Sequence, residues 1–127
     1  MSLSDPTSLQ RKYSLAGHDV EYRGLMELCQ GGPEIGDLFV NGKRIGGDTR
    51  FGGPLLQHAE AIYIPVFTKS FLSSGFTLTQ VELESGKVSM IGKRRALIYL
   101  DRIESGVVYY YIDTGKTHLE TLPLEHG

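Results

Sequence analysis

The 127-residue chain has no tryptophan and a single cysteine, Cys29. One thiol excludes an internal disulfide and any Cys-x-x-Cys zinc motif, so the fold must rest on a hydrophobic core. A chain of this length hides roughly two thirds of the surface it exposes when unfolded, enough for one domain over residues 1–127 and not for two. Net charge is nearly absent as well: 13 Lys and Arg against 15 Asp and Glu leave −2. That balance argues against a generic polyanion binder, and nucleic acid is not an expected partner. Apolar runs are short. Ala96–Leu100 and Val107–Ile112 are strand-sized, far from the roughly 18 residues that a membrane-spanning helix needs, and no membrane partner is expected.

The motifs of common chemistries are missing too. None of the Gly-Lys pairs beginning at Gly42, Gly86, Gly92 and Gly115 has a glycine five positions upstream, so there is no phosphate-binding P-loop. Neither Gly-x-Gly-x-x-Gly nor Gly-x-Ser-x-Gly occurs. Met1–Gln10 lacks the basic and apolar segments of a secretory signal, so a cytoplasmic location is expected. Residues 1–9 and 123–127 are read as flexible tails. No cofactor and no metal are expected.

Turn signals dominate what is present. Leu83-Glu84-Ser85-Gly86-Lys87-Val88 and Ile103-Glu104-Ser105-Gly106-Val107-Val108 are near copies, and Asp113-Thr114-Gly115 follows as a third turn. Glycine supplies positive φ in such turns, and serine bonds its own backbone. An antiparallel meander of five strands follows, near Phe76–Leu83, Val88–Ile91, Ala96–Ile103, Val107–Ile112 and His118–Leu122, with Ile91–Arg95 as a polar return loop. Asn41-Gly42 between Asp37–Val40 and Lys43–Ile45 marks a type I′ hairpin. His18–Leu28 and Ala59–Thr68 read as further strands. Pro65 cannot donate to a ladder and is expected at an edge or bulge. Pro54–Ala61 has the composition of one or two helical turns. The fold expected is all-β: an antiparallel meander of eight to nine short strands forming a barrel or sandwich, with at most one short helix.

Candidate functional residues are sparse. Tyr109, Tyr110 and Tyr111 are consecutive and alternate between two sheet faces, with Tyr99 placed to pair across. Exposed tyrosine with arginine is the composition of protein-interaction patches, so Tyr109 and Tyr111 with Arg94 and Arg95 form the first candidate. The glycine-rich segment Gly42–Gly53 carries three cations, Lys43, Arg44 and Arg50, and has the makings of an anion nest. His58 and Glu60, with Arg50 or Asp48 on the same wall, would line a catalytic cleft. Cys29 is expected buried at a strand end, where a dyad with His18 or His58 is only a remote prospect. In being small, all-β and free of catalytic motifs, the chain is similar in class to bacterial immunity-type proteins. The function expected is protein–protein interaction, as an inhibitor, immunity-type or accessory protein. A small-ligand-binding barrel is the first alternative, and an enzyme using His58 and Glu60 is the second.

Overall fold

Tight turns organise the first half of the molecule. In the computed structural model, which describes residues 5–69 and 73–124, Ala16 and Gly17 lie at φ 49° and 81°, and Asn41 and Gly42 at 50° and 80°. Two successive left-handed residues are what a type I′ hairpin requires. These turns fold β1 (Lys12–Leu15) onto β2 (His18–Glu27) and β3 (Glu34–Val40) onto β4 (Lys43–Ile45). Next come β5 (Arg50–Phe51), β6 (Leu56–His58), β7 (Ala61–Lys69), β8 (Ser74–Glu82) and β9 (Val88–Met90). Together they make a nine-stranded sheet in the order β1-β2-β3-β5-β7-β8-β9, with β4 on β3 and β6 on β7. A separate three-stranded sheet holds β10 (Tyr99–Glu104), β11 (Val107–Tyr111) and β12 (Leu119–Pro123). The all-β, antiparallel class is as expected; the described residues form twelve strands, more than the eight to nine expected, and no helix. Among the described residues the strand order is an open path, and the sheets do not close into a barrel.

The pair β7–β8 is the structural centre, because both of its faces are buried. On one face Ile62 opposes Val81 and Ile64 opposes the buried Thr79; Ile62, Ile64 and Val81 join Leu38, Phe51 and Val20 in a first core. On the other face Tyr63 opposes Gln80 and Phe67 opposes Phe76. Tyr63 and Phe76 belong to a second core with Leu100, Val108 and Tyr110 of the small sheet. A strand buried on both sides reads as a continuous apolar run rather than an alternation, and Ala61–Val66 is buried throughout. The first core is filled: Leu38, Phe51, Ile62 and Ile64 have no exposed surface. The large sheet therefore surrounds side chains where a ligand barrel would hold a chamber.

Pro65 sits in this central strand, not at an edge or bulge. Its carbonyl accepts from Gly52 N at 2.8 Å. The N and C=O of one strand residue point to the same side, so its nitrogen also faces the corner between β5 and β6. Both strands flank β7 there, and neither reaches Pro65: Phe51 opposes Val66 and Leu56 opposes Tyr63. The missing donor thus falls in a gap, and the β7–β8 ladder is unbroken.

Other expectations change for equally local reasons. Pro54–Ala61 forms no helix. Leu55 is buried in the first core, and Leu56–His58 pairs with Tyr63–Ala61 as β6. Five strands do span residues 74–123, but the meander breaks between β9 and β10. Arg95 bonds Phe76 in both directions (2.6 and 2.8 Å), and Leu97 and Ile98 enter the second core, carrying the chain across to the small sheet. The two Glu-Ser-Gly copies fold differently. Ser105 and Gly106 are both left-handed (52° and 74°) and close Glu104 directly on Val107. In the other copy Leu83 is drawn into the first core and its N–H bonds Glu60 O at 3.0 Å. That loop is wider, and only Gly86 turns left-handed, at 76°.

Neither terminal stretch is wholly a tail. Pro6 is fully buried, Leu9 is in the first core, and Leu9 N donates to Glu34 Oε1 at 2.8 Å. Pro123 pairs with Val107, while residues 1–4 and 125–127 lie outside the described set. Cys29 is exposed rather than buried, because it sits in the turn closed by Gly32 N on its carbonyl.

Candidate functional site

The face of the small sheet turned away from β7–β8 is built by one turn and one bulge. The two-residue turn at Ser105-Gly106 sets Arg102 opposite Tyr109. A bulge between Leu100 and Arg102 then restores Leu100 to Tyr110 and Tyr99 to Tyr111. Leu100 and Tyr110 therefore point into the second core. Tyr99, Arg102, Tyr109 and Tyr111 point the other way, beside Leu119 and Thr121 of β12, which oppose Tyr111 and Tyr109. The expected pairing of Tyr99 with Tyr111 is present.

Two cations brace the aromatic rings. The Arg102 guanidinium carbon lies 3.9 Å from the Tyr109 ring centroid, and Lys116 Nζ lies 4.8 Å from that of Tyr99. These are cation–π distances. Arg102 is held by Asp101, its sequence neighbour, and by Glu104 at 3.7 Å. The Asp101 hydrogen bond keeps the guanidinium above its ordinary pKa. Lys116 is placed by the β11–β12 loop, in which it is left-handed at φ 56°. Asp113 ties that loop, accepting from the Thr117 hydroxyl and from the His118 N–H at 3.0 Å. The Thr117 hydroxyl, chiefly, holds Asp113 below the usual carboxylate range. Leu119 stands 47% exposed at the edge of the face.

Arg94 and Arg95 do not belong to this face. Arg94 donates to Ser73 Oγ at 2.6 Å. Arg95 Nε donates to Glu120 Oε1 at 2.8 Å; Glu120 alternates with Leu119 and so lies on the Tyr110 side of β12. Arg95, chiefly, lowers the Glu120 pKa, while burial raises that of Tyr110 beside it. The cations of this face are Arg102, over Tyr109, and Lys116, over Tyr99. Arg102 was legible: a two-residue turn at Ser105-Gly106 fixes the cross-strand count to Tyr109.

The remaining candidates are dispersed. Two of the three cations of the glycine-rich segment, Arg44 and Arg50, converge on Asp37 Oδ1 at 2.9 and 3.3 Å, so their charge is partly met within the fold, while Lys43 is exposed. His58 ends β6, and Glu60 lies in the following turn; both are exposed. Along β7, His58 opposes Ala61 whereas Arg50 opposes Phe67. Six strand residues separate the two, roughly 20 Å at the usual rise, so no single wall unites them. Cys29 follows the end of β2, the strand that His18 begins, which separates that pair by roughly 30 Å. Among the described residues, no three His, Cys, Asp or Glu side chains group to hold a metal, and no helix is long and apolar enough to cross a membrane. No protein-family model matches the chain, and neither a curated protein nor a solved structure matches it.

Proposed function

We propose that this chain is a non-catalytic binding module that engages a protein partner, as an inhibitor or accessory subunit, through the outer face of β10–β12. The observation that carries the reading is the stacking of Arg102 on Tyr109 within a face that also presents Tyr111 and Leu119. Tyrosine and arginine are enriched where proteins dock, because each offers a large, stiff contact surface with a polar end. Here the rings are already ordered by their cations and by cross-strand neighbours. A partner would therefore lose little side-chain entropy on fixing them. The small sheet is thick on one side with the second core, so its outer face is a firm platform rather than a flexible flap.

The test is native mass spectrometry of the chain recovered from a lysate of its host, comparing wild type with Tyr109→Ser/Tyr111→Ser and with His58→Ala. A stoichiometric polypeptide bound to wild type and His58→Ala, and absent from the double variant, is the expected result. Retention of that polypeptide by the tyrosine variant refutes the assignment of the face. Loss with His58→Ala instead would move the site to the β6–β7 turn.

A further inference from the structure

The two sheets leave one side of the second core open, and the opening has the form of a groove. One wall is β12. Four consecutive residues, Leu119, Glu120, Thr121 and Leu122, line a cleft of ≈ 590 Å³, and Leu122 to Leu124 continue into a neighbouring cleft of ≈ 520 Å³. Side chains of consecutive strand residues point to opposite faces. Four in a row can line one groove only along the backbone edge. The other wall is the margin of the large sheet, from Met90 through Ile91 to Arg95. At the base Gln80 Nε2 donates to the Tyr63 hydroxyl at 3.2 Å, leaving the phenolic proton for the cleft.

Register settles which backbone groups face the groove. Ile112 N donates to His118 O and Leu124 N to Gly106 O, so the even-numbered residues of β12 bond β11. The odd-numbered ones point outward: N–H and C=O of Leu119 and Thr121, and C=O of Pro123. Pro123 sits where a missing donor breaks nothing. β9 protects its own edge by being three residues long, whereas β12 runs for five residues with only Pro123 at its end to blunt it.

We propose that this groove binds an extended segment of another polypeptide, which adds a fourth strand to the small sheet along β12. Strand addition draws affinity from main-chain hydrogen bonds and specificity from pockets for alternate side chains. Every second side chain of the segment would enter the cleft between Ile91 and Leu122, above Tyr63. Lys93 stands exposed beside the compensated Arg95–Glu120 pair, so an acidic residue of the segment fits that end. The groove has two walls. A single extended chain fits between them, while the edge of a second folded copy would meet the margin at Ile91–Arg95. The groove meets the aromatic face along β12 and shares Leu119 and Thr121 with it. Strand addition uses the outward backbone groups of those residues and not the rings of Tyr109 and Tyr111, so its failure would leave that reading standing.

The experiment uses the full chain as bait for displayed random peptides of about eight residues, a long strand's length, followed by synthetic copies of the peptides selected. Expected are sequences with apolar residues at alternate positions. N-methylation of the amides that face β12 weakens them about tenfold or more, and methylation of the intervening amides does not. Thr121→Pro removes an outward N–H without touching a β11 bond, so binding falls by a similar factor; Lys43→Ala, on β4 of the large sheet, leaves it unchanged. In the free protein the amides of Leu119 and Thr121 exchange fast with solvent, and the peptide slows both. Selection of no peptide above background, indifference to N-methylation, or Leu119 and Thr121 amides protected only at high protein concentration (a second copy on the edge) would each overturn the proposal. Should Thr121→Pro fail to fold, the methylated series on wild type decides alone.

Discussion

The guanidinium carbon of Arg102 lies over the Tyr109 ring, 3.9 Å from its centroid, while two acidic neighbours pair with its nitrogens. Both residues are on the outer face and neither fills the core, so their contact shapes a surface rather than a fold. Arg102→Met keeps the stem and removes the charge. The expected outcome is a urea midpoint close to that of wild type together with weaker partner binding. Tyr109→Leu should act in the same direction, and the double variant should lose less than the sum of the two. Additive losses in that cycle would mean that the stacked pair does not act as a unit.

A different consequence follows from the shared wall. Ile64 and Leu100 have no exposed surface, and they lie in the first and the second core respectively. Truncating either to alanine leaves a cavity and should destabilise by about 2–5 kcal/mol, a large part of the roughly 5–15 kcal/mol typical of a domain. Because β7–β8 forms a face of both cores, the two variants should lower one common transition. Urea unfolding followed by far-UV dichroism and by tyrosine fluorescence checks this. Separate transitions for Leu100→Ala would show that the small sheet comes away alone.

Much of this architecture was legible, and the parts that were not share a cause. Asn41-Gly42 and Ser105-Gly106 specify their own turns through local backbone sterics, so both hairpins and the Arg102–Tyr109 register could be read directly. Leu83-Glu84-Ser85-Gly86 carries nearly the same letters, yet burial of Leu83 and its bond to Glu60 widen the turn. The break after β9 likewise depends on Arg95 meeting Phe76, a contact between strands that no local pattern encodes. Alternation put Tyr109 and Tyr111 on one face of the small sheet, where the register places them. Arg94 and Arg95, expected beside them, are carried elsewhere by the break after β9: Arg95 to Glu120 on the Tyr110 side of the small sheet and Arg94 to Ser73. One signal went unused: the unbroken apolar run from Ala61 to Phe67 already implied a strand covered on both faces.

Pro65 gives a sharp test of the β7 register. Its nitrogen faces the gap between β5 and β6, so restoring an N–H with Pro65→Ala breaks no pair and should change stability by about 1 kcal/mol or less. Moving the proline by one residue is different. Ile64 opposes Thr79 on the side that bonds β8, and its carbonyl also accepts the Thr79 hydroxyl at 2.7 Å. Ile64→Pro removes a ladder donor there and a core side chain, and should abolish cooperative unfolding at neutral pH. A tolerated Ile64→Pro would mean that the strand is registered differently.

The buried tyrosines set the alkaline limit. Tyr22 is in the first core and donates its hydroxyl to Gly52 O at 2.6 Å, and burial raises its pKa well above the phenol range. Burial also raises those of Tyr63 and Tyr110. Below about pH 10 these phenols are protonated in both the folded and the unfolded chain, so they add no pH dependence. Above it the unfolded chain releases protons that the folded chain retains. Stability must then fall as pH rises, by up to about 1.4 kcal/mol per pH unit for Tyr22, the most strongly raised of the three. Urea unfolding between pH 8 and 11 should show a plateau and then this decline. Tyr22→Phe should be less stable by about 1–3 kcal/mol at neutral pH, because the Gly52 carbonyl loses its phenol partner, yet its decline above pH 10 should be shallower than that of wild type. An unchanged slope would place Tyr22 in contact with solvent, against its burial in the first core.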